Sequence, residues 1–114
     1  MRILVIDDEL DTAQTVALLL THEGHEVRYA VTAAAALELT AQSEPELVIL
    51  DLGLPDMDGV ELAKRLKHRG NRESPKIIAI TGRSAEAERP AREAGCDHFL
   101  RKPVDAGLLY SLIR

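Results

Sequence analysis

A chain of 114 residues has the length of one small domain, and its 46% hydrophobic content is enough to form a core. Aromatic residues supply only 3% of the sequence, so this core must consist of aliphatic side chains, which favours helices packed on a sheet. The 19 acidic residues outnumber the 14 basic ones and give a formal charge of −5, which argues against direct binding to nucleic acid.

The single cysteine, Cys96, excludes an internal disulfide and a cysteine-rich zinc site, and it fits a reducing compartment. No apolar run approaches the roughly 20 residues of a membrane span. Met1 and Arg2 lead directly into a short apolar strand rather than a signal peptide. We therefore predict a cytoplasmic protein that does not enter a membrane.

Short apolar segments alternate with amphipathic ones along the whole chain. The strand-like segments are ILVID, HEVRYA, LVILDL, KIIAIT and HFLRK, at residues 3–7, 25–30, 47–52, 76–81 and 98–102. Helix-like segments follow them at 9–23, 32–42, 59–69, 84–94 and from Asp105 onward. The first, third and fourth strands are apolar on both faces, as parallel strands covered by two layers of helices are. The pattern predicts a doubly wound α/β sandwich of five βα units, with residues 1–114 as a single domain.

The helical segments carry recognisable end signals. Gly24 and Gly95 are predicted to end the first and fourth helices, and Asp58 and Asp105 to cap the third and fifth. Pro90 falls inside the fourth segment, so that helix is predicted either to kink at the proline or to start near it.

The last helix is predicted to present an apolar stripe toward the sheet. Leu108, Leu109 and Leu112 form this stripe in the sequence. The prediction places all three leucines against the core.

Polar side chains follow four strands at the point where each strand ends. Asp7 and Asp8 follow the first strand, Asp51 ends the third, Thr81 ends the fourth and Lys102 ends the fifth. Because ligand sites in open α/β sheets lie beyond the carboxyl ends of the strands, we expect these groups to converge at one edge of the sheet.

Three carboxylates packed together repel one another unless a cation joins them. Mg²⁺ prefers oxygen ligands and is typically held by one or two carboxylates together with water. With Mg²⁺ and Lys102 present, the three carboxylates would be neutralised, and the site could accept an anionic phosphoryl group. A carboxylate oxygen such as that of Asp51 is a competent nucleophile for phosphoryl transfer, while Lys102 and Thr81 could hold the transferred group.

The chain resembles the receiver domain of two-component response regulators over all 114 residues. The matching segments, in order, are VIDDE, VILDLGLPDMDG, IAITG and AGCDHFLRKP, at residues 5–9, 48–59, 78–82 and 94–103. The resemblance implies a flavodoxin-like fold with a five-stranded parallel sheet in the order 2-1-3-4-5.

The resemblance also implies a role for each acidic residue of the cluster. Asp51 would be the phosphoacceptor. Asp8 and Asp51 would bind Mg²⁺ directly, the carbonyl of Gly53 would be a third protein ligand, and Asp7 would act mainly through water.

The remaining roles implied by the resemblance concern signalling. Thr81 would be the switch hydroxyl, Lys102 would contact the phosphoryl oxygens, and the Lys102–Pro103 peptide bond would be cis. Phosphorylation would draw Thr81 toward the phosphoryl group and rotate the aromatic Phe99 inward, changing the surface around the fourth helix, fifth strand and fifth helix. Gly53 and Arg83 occupy positions that influence hydrolysis of the acyl phosphate in this family.

The implied phosphodonor is a sensor histidine kinase or a phosphotransfer domain. The domain would catalyse only its own phosphorylation and dephosphorylation, so we expect a signalling domain rather than an enzyme with a separate substrate. Fusion to a hybrid kinase or an output domain in a longer protein stays open at this point. Direct binding to nucleic acid or to a membrane is not expected.

Three other interpretations compete with this one. A phosphatase of the haloacid dehalogenase type needs a second aspartate two positions after the nucleophile, where this chain has Gly53. A flavodoxin-like electron carrier needs a phosphate-binding loop after the first strand, and Asp7, Asp8 and Glu9 would repel a flavin phosphate there. A pseudo-receiver, which is a non-phosphorylated interaction module on the same fold, would be distinguished by a magnesium titration.

Overall fold

The computed structural model describes residues 1–68, 74–82 and 85–113 of the chain. The strands in this part are β1 (Arg2–Ile6), β2 (Glu26–Ala30), β3 (Leu47–Asp51), β4 (Lys76–Thr81) and β5 (His98–Arg101). The helices are α1 (Leu10–His22), α2 (Ala33–Gln42), α3 (Gly59–Lys67), α4 (Glu88–Glu93) and α5 (Ala106–Ile113). One turn of 3-10 helix, Ala85–Ala87, leads into α4. The predicted alternation of five βα units is confirmed.

The five strands form one parallel sheet in the order β2-β1-β3-β4-β5. β3 lies in the centre, where Ile49 is aligned with Val5 of β1 on one side and with Ile78 of β4 on the other. Every residue of β3 is buried. The predicted strand order and the predicted covering of the central strands on both faces are therefore confirmed.

Alternate residues of the central strands belong to two separate cores, one on each face of the sheet. The larger core joins the strands to α2, α3 and α4 through the buried residues Leu4, Ile6, Val48, Leu50, Ala36, Leu62, Leu66 and Ala91. The smaller core joins them to α1 and α5 through the buried residues Ile3, Val5, Ile49, Ile78, Ala13, Leu20, Leu109 and Ile113. Burial of each leucine, isoleucine or valine side chain in these cores stabilises the fold by about 1.5–3 kcal/mol.

Two helices end at glycines with a positive φ. Gly24 follows α1 with φ 93°, and Gly95 follows α4 with φ 108°, a backbone region that glycine enters without strain. A Cβ on Gly95 would also lie 2.8 Å from Cγ of Lys67, so the glycine leaves room for that side chain. Both glycines end helices as predicted.

The predicted aspartate caps of α3 and α5 are present. A carboxylate oxygen of Asp58 accepts the Val60 N–H at 3.2 Å, and one of Asp105 accepts the Gly107 N–H at 2.8 Å. The predicted last residue of the third helix, Arg69, lies outside the described residues.

Pro90 is accommodated at the start of α4. The helix begins at Glu88, so the proline is its third residue, where a backbone N–H has no partner within the helix. Of the two predicted alternatives, the start near the proline is therefore correct. Ser84, the first residue of the predicted segment, lies outside the described residues.

The predicted apolar stripe of the last helix is partly wrong. Leu109 and Ile113 are buried and Leu112 packs at the edge of the core, whereas Leu108 is 47% exposed. A helix turns by about 100° per residue, so with Leu109 facing the sheet the adjacent Leu108 is turned toward solvent.

Candidate functional site

The carboxyl ends of β1, β3, β4 and β5 bring the predicted polar residues to one edge of the sheet. Asp51 and Thr81 are the last residues of β3 and β4, and Asp7 and Lys102 directly follow β1 and β5. Asp7, Asp51 and Thr81 are buried, while Asp8 is exposed at the rim. This convergence follows from the parallel topology, as the sequence predicted.

The ammonium of Lys102 lies between two of the carboxylates. Its Nζ is 3.1 Å from Oδ2 of Asp7 and 3.1 Å from Oδ2 of Asp51. The side chain of Glu9 approaches the same ammonium at 4.0 Å and is largely exposed. Lys102 thus reduces the repulsion between two buried acids.

The electrostatics of this group depend on burial and on the ammonium. Burial raises the pKa of the Asp7 carboxyl, and the negative charge of Asp51 raises it further. Hydrogen bonds from the Glu9 N–H and from Lys102 lower the same pKa, but they offset the rise only in part. For Lys102 burial alone would lower the pKa of the ammonium, but its hydrogen bonds to Asp51 and Asp7 outweigh burial and raise it. Lys102 is therefore a cation throughout the neutral pH range.

The three aspartates form a set of oxygen ligands that fits a hard divalent cation. Carboxylate oxygens of Asp7, Asp8 and Asp51 all lie within 4.8 Å of one another. The donors are exclusively carboxylate oxygens, which suit Mg²⁺, Ca²⁺ or Mn²⁺ better than soft metals. Gly53 lies beside this group because its N–H donates to Oδ1 of Asp51 at 3.0 Å.

Thr81 ends β4 beside this cluster, and Phe99 lies on the neighbouring strand β5. The backbone N–H of Lys102 donates to the Thr81 carbonyl at 3.0 Å, which holds the ends of the two strands together. Phe99 is aligned with Ala79 of β4 and packs, half-buried, against the larger core.

The Lys102–Pro103 peptide bond is cis, as predicted. Arg83 lies outside the described residues.

A largely apolar cleft opens beside the cluster. Its volume is about 610 Å³, and it runs between α1 and the segment that leads into α5. Val16 and Leu19 of α1 line it on one side and Val104 and Leu109 on the other, and Asp51 is also among its lining residues. Three of the predicted strand-end residues, Asp7, Asp51 and Lys102, therefore line a largely apolar cleft on the side of α1.

Two acidic residues near the cluster were not predicted from the sequence. Glu9 approaches Lys102, a position that its place directly after Asp7 and Asp8 could have suggested. Asp56, within the loop that follows Asp51, accepts hydrogen bonds from the first two N–H groups of α2, a contact that no local pattern indicates.

Cys96 and the histidines lie apart from this cluster. Burial raises the pKa of the Cys96 thiol to about 11, which agrees with the predicted small buried side chain. The one possible metal-ligand group found among the described residues contains no histidine.

A family model described as the response regulator receiver domain matches residues 3–114. The chain therefore belongs to the receiver domains of two-component response regulators, as the motifs predicted.

Two relatives and one solved structure illustrate this membership. The transcriptional regulatory protein KdpE of Mycobacterium tuberculosis is 39% identical over 102 residues, which are 89% of this chain and 44% of that protein. An uncharacterized 14.6 kDa protein of Leptolyngbya boryana is 36% identical over 115 residues, covering 100% of this chain and 88% of that protein. The crystal structure of a CheY-like receiver domain from Methanospirillum hungatei matches with a TM-score of 0.86 and 35% identity, covering 98% of this chain and 89% of that one. The chain thus spans less than half the length of the regulator KdpE.

No helix in the described parts of the chain combines the length and the apolar character needed to cross a bilayer.

Proposed function

We propose that this domain accepts a phosphoryl group on Asp51 in a two-component phosphorelay. The observation that carries the proposal is the position of the Lys102 ammonium, 3.1 Å from both Asp7 and Asp51 at the carboxyl edge of the sheet. This arrangement supports a role for Asp51 as the nucleophile, beside a cation that can contact the incoming phosphoryl oxygens.

In the proposed reaction a carboxylate oxygen of Asp51 attacks the phosphorus of a phosphohistidine. A phosphorus–oxygen bond forms, the phosphorus–nitrogen bond breaks, and the imidazole nitrogen leaves with the electron pair. The product is an acyl phosphate on Asp51, and the Lys102 ammonium is placed to balance its charge. Thr81 would donate its hydroxyl to a phosphoryl oxygen.

Mg²⁺ is the proposed metal. Asp8 and Asp51 would hold it together with the carbonyl of Gly53, and Asp7 would act through water. A bound Mg²⁺ would neutralise negative charge on the phosphoryl group during transfer. The close approach of three carboxylates supports this assignment.

The proposed donor is a sensor histidine kinase or a phosphotransfer domain in the cytoplasm. The cleft between α1 and the segment that leads into α5 is lined by Asp51 and by several apolar side chains, which supports docking of the donor beside this cleft. We propose that phosphorylation then changes the surface formed by α4, β5 and α5 through Thr81 and Phe99. The domain would signal and would not turn over a separate substrate.

Intact mass spectrometry after incubation with acetyl phosphate and Mg²⁺ tests this proposal. We expect one phosphoryl adduct on the wild type that alkali removes, and none on Asp51→Asn, whose amide is not a nucleophile. Asp11→Asn, an exposed acid in the first turn of α1, is the matched control and should be phosphorylated like the wild type. A folded wild type that gains no adduct from acetyl phosphate or from a phosphohistidine donor would instead be a pseudo-receiver.

A further inference from the structure

Asp56 connects the loop after Asp51 to the start of α2. Its Oδ1 accepts the N–H of Ala33 at 2.8 Å, and its Oδ2 accepts the N–H of Ala34 at 3.0 Å. These are the first two residues of α2, so one carboxylate binds two of the N–H groups that a helix leaves without partners. The contact spans more than twenty residues of sequence.

This contact complements the helix's own cap. Thr32 accepts the N–H of Ala35 at 3.1 Å, so Thr32 and Asp56 bind different N–H groups of the same helix end. The two N–H bonds lower the pKa of the Asp56 carboxyl, which is therefore anionic at neutral pH and is favourably placed at the positive end of α2.

The loop from Leu52 to Asp58 is held at both ends as well as at Asp56. At its start the Gly53 N–H donates to Asp51, and at its end the Gly59 N–H donates to the Leu52 carbonyl at 3.2 Å. Gly59 approaches the Leu52 backbone so closely that a Cβ there would lie 2.8 Å from the Leu52 carbonyl oxygen. Asp56 fixes the middle of this short loop against another element.

We propose that Asp56 is a positioning residue for the divalent-cation site. By tying the middle of the loop to α2, it holds the backbone of Gly53 next to Asp51. This inference rests on the proposed function, in which the Gly53 carbonyl is a metal ligand, and it assigns to Asp56 a contribution to Mg²⁺ affinity without direct contact with the metal.

The test compares Asp56→Ala with Thr32→Ala by isothermal titration with Mg²⁺. Each variant removes a cap from the same end of α2, but only Asp56→Ala releases the loop. We expect the Mg²⁺ dissociation constant to rise about tenfold in Asp56→Ala, as for other residues that orient metal ligands, and to stay within about twofold in Thr32→Ala. Asp56→Asn keeps one acceptor oxygen and should fall between the wild type and Asp56→Ala.

The dependence of phosphorylation on Mg²⁺ gives a second measure. In Asp56→Ala the Mg²⁺ concentration for half-maximal rate should rise, while the rate at saturating Mg²⁺ should stay close to that of the wild type. A role in stability alone would reduce the folded fraction in denaturant experiments and leave the dissociation constant unchanged.

Two results would overturn the inference, and they can be told apart from failure of the proposed function. Unchanged affinity in both Asp56 variants would reduce Asp56 to a helix cap, and equal losses in Asp56→Ala and Thr32→Ala would assign the effect to α2 as a whole. If the wild type binds no Mg²⁺, both the proposed metal site and the proposed role of Asp56 are wrong. Should Asp56→Ala fail to fold, the titration of Asp56→Asn decides.

Discussion

Lys102 carries the charge balance at the strand-end cluster. Its ammonium contacts Asp7 and Asp51, and Asp8 lies within reach of both acids at the exposed rim. Three carboxylates and one ammonium leave a formal charge of −2, which is the charge that one divalent cation neutralises. Lys102 and a bound divalent cation would therefore complement each other in total charge but compete for the carboxylates of Asp7 and Asp51.

This sharing leads to a prediction for the Lys102→Met variant. Without the ammonium, no cationic side chain competes with the metal for Asp7 and Asp51 at close range, and we expect Mg²⁺ to bind about threefold to tenfold more tightly in the absence of a phosphodonor. The same variant should be phosphorylated far more slowly, since the cation proposed to contact the phosphoryl oxygens is gone. Isothermal titration and a timed mass assay measure the two effects.

Lys76→Met is the matched control for Lys102→Met. Lys76 is exposed at the opposite end of β4, where its Nζ donates to the Leu112 carbonyl at 3.3 Å. The Lys76→Met substitution should change neither the affinity for Mg²⁺ nor the rate of phosphorylation. Weaker Mg²⁺ binding in Lys102→Met would contradict the competition described here.

At the scale of elements, Asp97 joins α3, β4 and β5 at the edge of the sheet remote from Asp51. Its Oδ2 accepts the Ile77 N–H at 2.8 Å and the Lys67 ammonium at 3.1 Å, and its own N–H donates to the Ile77 carbonyl at 2.8 Å. The Lys67 side chain is only 16% exposed. Burial alone would raise the pKa of the Asp97 carboxyl, but the hydrogen bonds from Ile77 and Lys67 outweigh it and lower the pKa.

We expect Asp97→Ala to lower the free energy of unfolding by about 1–2 kcal/mol at pH 7, a modest value because the carboxylate is 40% exposed. A carboxyl whose pKa is lower in the folded state stabilises the fold fully above its unfolded pKa, near 3.9, and this contribution is lost as the pH falls through the folded pKa. The difference in the free energy of unfolding between the wild type and Asp97→Ala should therefore narrow only below about pH 3.9. Urea unfolding at several pH values measures it.

Asp11→Ala is the control for the Asp97 experiment. Asp11 is an exposed acid in the first turn of α1, so its removal should cost at most a few tenths of a kcal/mol. A loss in Asp97→Ala that stays constant down to pH 3 would show that the carboxylate charge contributes nothing and that only packing was removed.

Over the whole molecule, the strand-end cluster was predictable because the topology dictates it. Parallel strands bring their carboxyl ends together, so the positions of Asp7, Asp51 and Lys102 in the sequence sufficed to predict that they meet. The presence of a core on each face of the sheet was predictable because the central strands are apolar on both faces.

Other features depend on geometry that the sequence does not contain. The contact of Asp56 with α2 depends on the path of a loop, and the exposure of Leu108 depends on the rotation of a short helix about its axis. Pro90 was compatible with either a kink or a helix start, and in the structure α4 begins at Glu88, two residues before the proline. At these positions the local sequence pattern is compatible with more than one conformation, and only the folded structure shows which one is adopted.

Burial decreases from the centre of the sheet to β5. All five residues of β3 are buried, whereas no residue of β5 is fully buried and α4 contains a single buried residue, Ala91. We expect β5 and α4 to exchange amide hydrogens through local opening and β3 only through global unfolding. Native-state hydrogen exchange measures this difference, and equal protection of β3 and β5 would contradict it.

The hydrogen bond between the Lys102 N–H and the Thr81 carbonyl has a consequence for how a signal would start. It joins the backbone at the end of β4 to the backbone at the end of β5, so a shift of the residue that would sense the phosphoryl group by its hydroxyl would be transmitted to the residue that would balance its charge. We therefore expect the domain to respond in an all-or-none manner, with two populated arrangements rather than a graded series.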